Sequence, residues 1–124
     1  MCGIFLVISK KKKIDKKKCR SVLQNLKKRG PDDFKYNFYN NGSIFIANTI
    51  LNITGKLNKK SRSPIQSQTS RYHIAFNGEI YNYKKLAKKY LTIEPSDKVS
   101  DTKILADLHE KIQPKKIPIL LDGM

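Results

Sequence analysis

Apolar and polar positions change period several times along the chain, and each change predicts an element. Residues 2–8 (CGIFLVI) are apolar almost throughout and rich in β-branched side chains, the pattern of a strand buried on both faces. From Asp15 the period lengthens. Cys19, Val22, Leu23 and Leu26 stand at helical spacing, which predicts an amphipathic helix with Asp15 as N-cap and Gly30-Pro31 as its stop. Two strands follow, Phe34 to Tyr39 and Ser43 to Thr49, joined as a hairpin by the turn-forming Asn40-Asn41-Gly42. Residues 54–71 are polar and aperiodic and carry Gly55 and Pro64, so they read as an exposed loop. Tyr72 to Asn77 returns to a strand. Tyr81 to Leu91 and Asp101 to Ile112 read as short amphipathic helices, the second capped by Ser100, and Ile119-Leu120-Leu121 is a last apolar run. Strands and helices in mixed order, with antiparallel neighbours and no internal repeat, predict an α+β layered sandwich.

A length of 124 residues suits one domain with a single core. The apolar runs at residues 2–8 and 117–121 fall far short of a membrane span. The N-terminal apolar run precedes the lysines, the reverse of a secretory signal, and position 2 is Cys rather than the Gly that myristoylation needs. These features predict a cytoplasmic protein with no membrane partner. The net charge of +16 would ordinarily suggest a nucleic-acid partner. However, there are 22 Lys against 4 Arg, and Lys, Ile and Asn together make 46 of 124 residues, a skew that reads as coding bias. Specific recognition of bases and phosphates favours the bidentate fork of Arg, so no specific nucleic-acid binding is expected. The runs 10–13 and 16–18 read as solvated surface between two elements. Cys2 and Cys19 form neither a disulfide framework nor a metal cluster, and His73 and His109 lack partners at catalytic or metal spacing. No metal or cofactor is expected. Cys19 belongs to the buried stripe of the first helix.

Cys2 is different because removal of Met1 would place thiol and free α-amino group on one residue. An α-amino group titrates at about 7.7–8.0, so it can take a thiol proton near neutral pH and later return it to a leaving amine. On position alone Cys2 reads rather as a small apolar residue opening a strand.

Five separate motifs add weight to the nucleophile. Cys2-Gly3-Ile4, Arg29-Gly30-Pro31-Asp32-Asp33, Asn77-Gly78-Glu79-Ile80-Tyr81-Asn82-Tyr83, Ser100-Asp101-Thr102 and Leu121-Asp122-Gly123-Met124 occur in order. Together they resemble the N-terminal glutaminase domain of class II glutamine amidotransferases, and within it the asparagine synthetase branch, over essentially the whole chain. The resemblance implies a four-layer αββα sandwich of the N-terminal nucleophile hydrolase type. It also implies that Cys2 attacks the side-chain amide of glutamine, forms a glutamyl thioester and releases ammonia before water frees glutamate. Asn77 and Gly78 would form the oxyanion hole through a side-chain amide and a backbone N–H, and Glu79 and Asp101 would receive the substrate's α-ammonium group. An amide beside a residue without Cβ suits an oxyanion, and carboxylates suit an ammonium.

Two departures from the family pattern stand out. Where the pattern has Arg-Leu-Ser-Ile, with the Arg gripping the substrate carboxylate, alignment through Leu51 and Ile53 sets Ile50 at the Arg position; Arg62 or Arg71 are the available substitutes. A milder change puts Ser63 before Pro64 where the family often has Gln. The second departure is length. Further strands of the sandwich and a separate ATP-binding synthetase domain follow Leu-Asp-Gly-Met in the family, so residues 1–124 read as a C-terminally incomplete glutaminase domain without the synthetase domain. The expected partners are glutamine as substrate and a synthetase subunit or complementary chain. The alternative is a degenerate, non-catalytic amidotransferase-like domain or partner subunit, which Ile50 favours.

Overall fold

The computed structural model describes residues 2–51, 63–94 and 99–124. They fall into two compact units, one holding the described residues of 1–57, 62–64 and 75–77, the other those of 65–74 and 78–124. Sheets and helices together make the chain α+β.

The first unit is an antiparallel sheet of three strands, β1 (Gly3–Ile8), β2 (Asp33–Tyr39) and β3 (Ile44–Ile50), in the order β1-β3-β2, with helix α1 (Lys16–Leu26) on one face. Asp15 caps α1 as predicted, its Oδ1 accepting from the N–H groups of Lys17 at 2.8 Å and Lys18 at 3.2 Å. The hairpin also forms as predicted. Asn40, Asn41 and Gly42 all take positive φ (49°, 53° and 83°), a conformation Asn and Gly adopt with least strain, and the chain reverses there into β3.

Register decides which side chains meet α1. Gly3 pairs with Thr49, Phe5 with Ala47 and Val7 with Phe45, while Phe34, Tyr36 and Phe38 pair with the same three residues from the other side. Strand side chains alternate, so this set shares one face, where Phe5, Tyr36, Phe38 and Phe45 surround Cys19 and Leu23 of α1. The Phe38 and Phe45 ring centroids are 4.7 Å apart and those of Phe5 and Phe45 5.7 Å, an edge-to-face pair. Burial, and secondarily the Asp15 carboxylate, pushes the Cys19 thiol pKa up, in keeping with a core role.

The opposite face departs from expectation. Strand β1 is not buried on both sides, because Ile4, Leu6 and Ile8 are exposed at 44%, 53% and 64%. Helix α1 packs on the other face, against Phe5 and Val7, and so covers none of these three side chains of an edge strand.

In the second unit a short antiparallel pair, β4 (Ile65–Gln66) and β5 (His73–Ile74), accompanies α2 (Tyr83–Leu86), α3 (Asp101–Lys111) and α4 (Ile117–Leu120). Ile65, Ile80, Leu86, Ile104, Leu108 and Ile117 are among its buried apolar side chains. Ser100 caps α3 as predicted, its Oγ accepting from the Lys103 N–H at 3.2 Å. Three expectations are corrected. The loop predicted at 54–71 contains β4 in its described part, residues 54–62 lying outside the described residues. The strand predicted at Tyr72–Asn77 is confined to two residues. The helix predicted at Tyr81–Leu91 is one α-turn continued by a π-turn over Ala87–Leu91, closed by Thr92 at φ 54°. No helix among the described residues is long and apolar enough to cross a membrane.

Side chains of α3 hold the β4–β5 turn. Asp107 Oδ1 accepts from the Gln68 N–H at 2.9 Å, and Glu110 accepts from the Thr69 hydroxyl and backbone N–H. Hydrogen bonds from Ser67 and then Thr69 hold the Glu110 carboxyl below its usual range, helped by Arg71 and opposed by desolvation. Because the folded pKa is lowered, the stabilisation is present above the unfolded value of about 4.3 and is lost as pH falls through the folded one. Glu110→Gln is therefore expected to unfold at lower urea than wild type at pH 7. The difference should vanish at pH values below the depressed folded pKa, which paired urea titrations check.

Candidate functional site

The N-terminal end of β1, the C-terminal end of β3 and the segment 75–77 build one part of the site. Thr49 is fully buried, and its hydroxyl accepts the Gly3 N–H at 3.1 Å while donating to the Leu26 carbonyl at 3.1 Å. One side chain thereby ties the start of β1 to the end of α1. Gly3 is required by the close approach, since a Cβ there would lie 2.8 Å from Thr49 Oγ1. Gly30 meets a harder limit, because a Cβ would fall 2.5 Å from the Ile50 backbone nitrogen. The Arg29–Asp33 loop thus lies against the end of β3, where Pro31 bridges Ile50 and the Asp32 N–H donates to the Ile50 carbonyl at 3.1 Å. Continuing the β1–β3 register by one residue sets Cys2 opposite Ile50.

Segment 75–77 is pinned by side chains. The Phe76 carbonyl accepts from Asn48 Nδ2 at 3.0 Å, and the Phe76 N–H donates to Ser63 Oγ at 3.2 Å. Next in the chain is Asn77, whose side-chain Oδ1 accepts from the Cys2 backbone nitrogen at 3.2 Å across 75 residues of sequence. The amide's oxygen is thereby committed to Cys2, which leaves its Nδ2 as a donor.

Glu79 and Asp101 lie in the second unit. Asp101 Oδ2 accepts from the Ile80 N–H at 3.1 Å and Oδ1 from the Thr102 N–H at 2.6 Å, so the carboxylate anchors the residue after Glu79 to the start of α3. Glu79 is exposed. Its backbone pairs with Met124 in both directions, at 2.9 and 3.0 Å, and Tyr81 N–H donates to the Asp122 carbonyl at 2.8 Å. Asn82 closes the arrangement, accepting from the Asp122 N–H at 3.1 Å and donating to the Leu120 carbonyl at 2.8 Å. Two motifs that are 40 residues apart in sequence therefore form one antiparallel clasp.

Of the expected site residues, Cys2 and Asn77 meet in the first unit, and the Glu79-Ile80 segment meets Asp101 in the second. Gly78 is exposed between Asn77 and Glu79 in sequence. Ile50 stands beside Cys2 in the continued register, Arg71 lies over the Tyr72 ring with its Cζ 5.4 Å from the centroid, and Arg62 is outside the described residues. Sequence reasoning did not find Asn48, Thr49 and Ser63. Polar residues in a strand or loop carry no local signal of the backbone groups they will hold.

The Cys2–Asn77 contact and the Arg29–Asp33 loop are held within the first unit, and the clasp and Asp101 within the second. The chain belongs to the glutamine amidotransferase domain family, whose pattern matches residues 1–124. Two provisionally named glutamine-hydrolysing asparagine synthetases are among its relatives. The one from Acanthamoeba polyphaga mimivirus is 40% identical over 93 residues, covering 73% of this chain and 16% of the relative. The one from Methanocaldococcus jannaschii is 30% identical over 127 residues, covering 90% and 24%. A glutamine-hydrolysing asparagine synthetase of Triphysaria versicolor is 29% identical over 129 residues, covering 100% of this chain and 20% of the relative. The chain thus spans between a sixth and a quarter of the length of these relatives.

Gly123 tests the clasp directly, since a Cβ there would sit 2.1 Å from the Glu79 carbonyl oxygen. Gly123→Ala must part the two strands and is expected to cost on the order of 1–3 kcal/mol of stability, read by urea unfolding.

Proposed function

We propose that residues 1–124 are a glutaminase domain that hydrolyses glutamine to glutamate and ammonia through a thioester on Cys2, and that the ammonia serves an asparagine-synthetase-like reaction in the cytoplasm. The observation that carries this reading is the hydrogen bond from the Cys2 nitrogen to Asn77 Oδ1. After Met1 removal the same nitrogen is an α-amine. An amine that donates an N–H to Asn77 keeps its lone pair for the thiol proton. The thiolate attacks the glutamine amide carbon, and negative charge builds on the carbonyl oxygen. Asn77 Nδ2 and the Gly78 N–H are the donors for that charge, and the ammonium of Cys2 protonates the amide nitrogen, which leaves as ammonia when the C–N bond breaks. Water then attacks the thioester, with the amine as base, and glutamate leaves.

Glu79 and Asp101 are the proposed receivers of the substrate α-ammonium. An ionised carboxylate offers about four lone-pair sites, so the Ile80 and Thr102 N–H groups and the Thr102 hydroxyl that Asp101 accepts leave room for one charged donor. The exposed stripe Ile4, Leu6 and Ile8 supports the finer architecture, a four-layer sandwich of which this is a partial domain. In that reading further strands or a complementary chain cover the stripe, since apolar side chains so aligned on an edge strand favour burial. A second reading, a degenerate domain without turnover, is favoured by Ile50 in place of the carboxylate-gripping Arg.

Glutamate release by full chain shown by mass to begin at Cys2 tests the proposal. Cys2→Ala is expected to abolish release, and Asn77→Ala to lower kcat by about 10²- to 10³-fold. Release that persists in Cys2→Ala, or its absence from folded, processed wild type, contradicts the reading. Ile50→Arg is expected to lower the KM for glutamine by roughly ten- to a hundredfold, the worth of about 1.5–3 kcal/mol in a charged hydrogen bond. An unchanged KM in that variant separates Ile50 from the carboxylate site.

A further inference from the structure

We infer that Asn48 is a positioning residue for the oxyanion donor, with Ser63 as its counterpart, an inference that rests on the glutaminase reading above. Asn48 lies opposite Ile4 in the β1–β3 ladder, one step along the outer face from the Ile50 and Cys2 positions. It is 1% exposed, next to Thr49 in a strand whose other residues are apolar. An asparagine there is costly unless both ends of its amide are used. Only one is: Nδ2 donates to the Phe76 carbonyl at 3.0 Å, while Oδ1 is buried with no hydrogen-bond partner among the described residues. Leaving such an acceptor unsatisfied is costly. What the asparagine provides is its single donated bond.

That bond acts on the peptide that joins Phe76 to Asn77. Phe76 lies outside any strand, so its backbone groups have no ladder to fix them. Instead Asn48 holds the carbonyl and Ser63, 6% exposed, holds the N–H at 3.2 Å. A residue held at both polar groups has its φ and ψ restrained, and the carbonyl that Asn48 fixes belongs to the peptide plane whose nitrogen is that of Asn77. The orientation of the Asn77 side chain toward Cys2 follows from that plane. Preorganised donors contribute to catalysis because they need no reorganisation as charge develops, so loosening this peptide should affect the transition state more than the bound substrate.

The test is a double-mutant cycle on the full, processed chain. Asn48→Leu keeps the branched shape, at somewhat larger volume, and removes the donor; Ser63→Ala releases the other side of the same residue and serves as the second probe if Asn48→Leu fails to fold. Each is expected to lower kcat for glutamine by about tenfold or more with KM within about threefold, a part of what loss of the Asn77 donor costs. In an Asn77→Ala background the same substitution is expected to lower kcat by less than about threefold, since its effect travels through Asn77. A merely structural role would lower kcat by the same factor in both backgrounds, and that result overturns the inference. Amide hydrogen exchange gives a readout independent of turnover. Asn48→Leu should speed exchange of the Phe76 N–H about tenfold while the β1–β3 ladder amides keep their rates. If wild type releases no glutamate, the glutaminase reading fails, and the exchange rates decide the positioning claim alone. Unchanged exchange at Phe76 overturns it.

Discussion

The placement of Cys2 depends on one buried hydroxyl. Thr49 Oγ1 is both acceptor for the Gly3 N–H and donor to the Leu26 carbonyl, so the first peptide of β1 is fixed to β3 and to the C-terminal turn of α1 at once. A strand terminus ordinarily frays, because its last groups have few partners. Here the terminus bears the proposed nucleophile, and the hydroxyl supplies the partner that water would otherwise provide. The approach is close enough that Gly3 must lack a side chain, which gives a steric reason for Cys2-Gly3 standing together.

The same end of β3 gathers the other contacts. Gly30 and Pro31 lie on the Ile50 backbone, Asn48 reaches Phe76, and Asn77 reaches Cys2. Backbone approaches and amide side chains position these groups, while the aromatic cluster around Phe45 and α1 occupies the opposite face. The division has a physical logic. Apolar packing is non-directional and holds the strands together, whereas hydrogen bonds fix angles and can orient a single amide toward a developing charge. In the second unit the clasp between residues 79–82 and 120–124 does comparable work, with Asp101 spending carboxylate oxygens on the Ile80 and Thr102 N–H groups.

Features with local causes were legible in the sequence. The cap at Asp15, the stripe Cys19-Leu23 on α1, the Asn40–Gly42 turn and the cap at Ser100 each follow from residues within one or two turns of each other. The two-sided burial expected for β1 failed because coverage of a sheet face depends on what packs there, which no run of apolar residues encodes. The strand expected to reach Asn77 stops at Ile74, since Ser63 and Asn48 take the Phe76 backbone groups out of any ladder. At the site, the motifs containing Cys2, Asn77, Glu79 and Asp101 were readable as a resemblance. The supporting Asn48, Thr49 and Ser63 were not, because each is defined by a backbone group at least 13 residues away.

The central claim is that Cys2, and not the buried Cys19, is a nucleophile in a glutamine site. It is tested most directly by treating the processed chain with a glutamine analogue that carries an electrophile in place of the side-chain amide, and reading adducts by intact and peptide mass. The account predicts one adduct, on Cys2, that excess glutamine prevents and Asn77→Ala slows. No adduct on folded protein, or labelling that glutamine leaves unchanged, would contradict it.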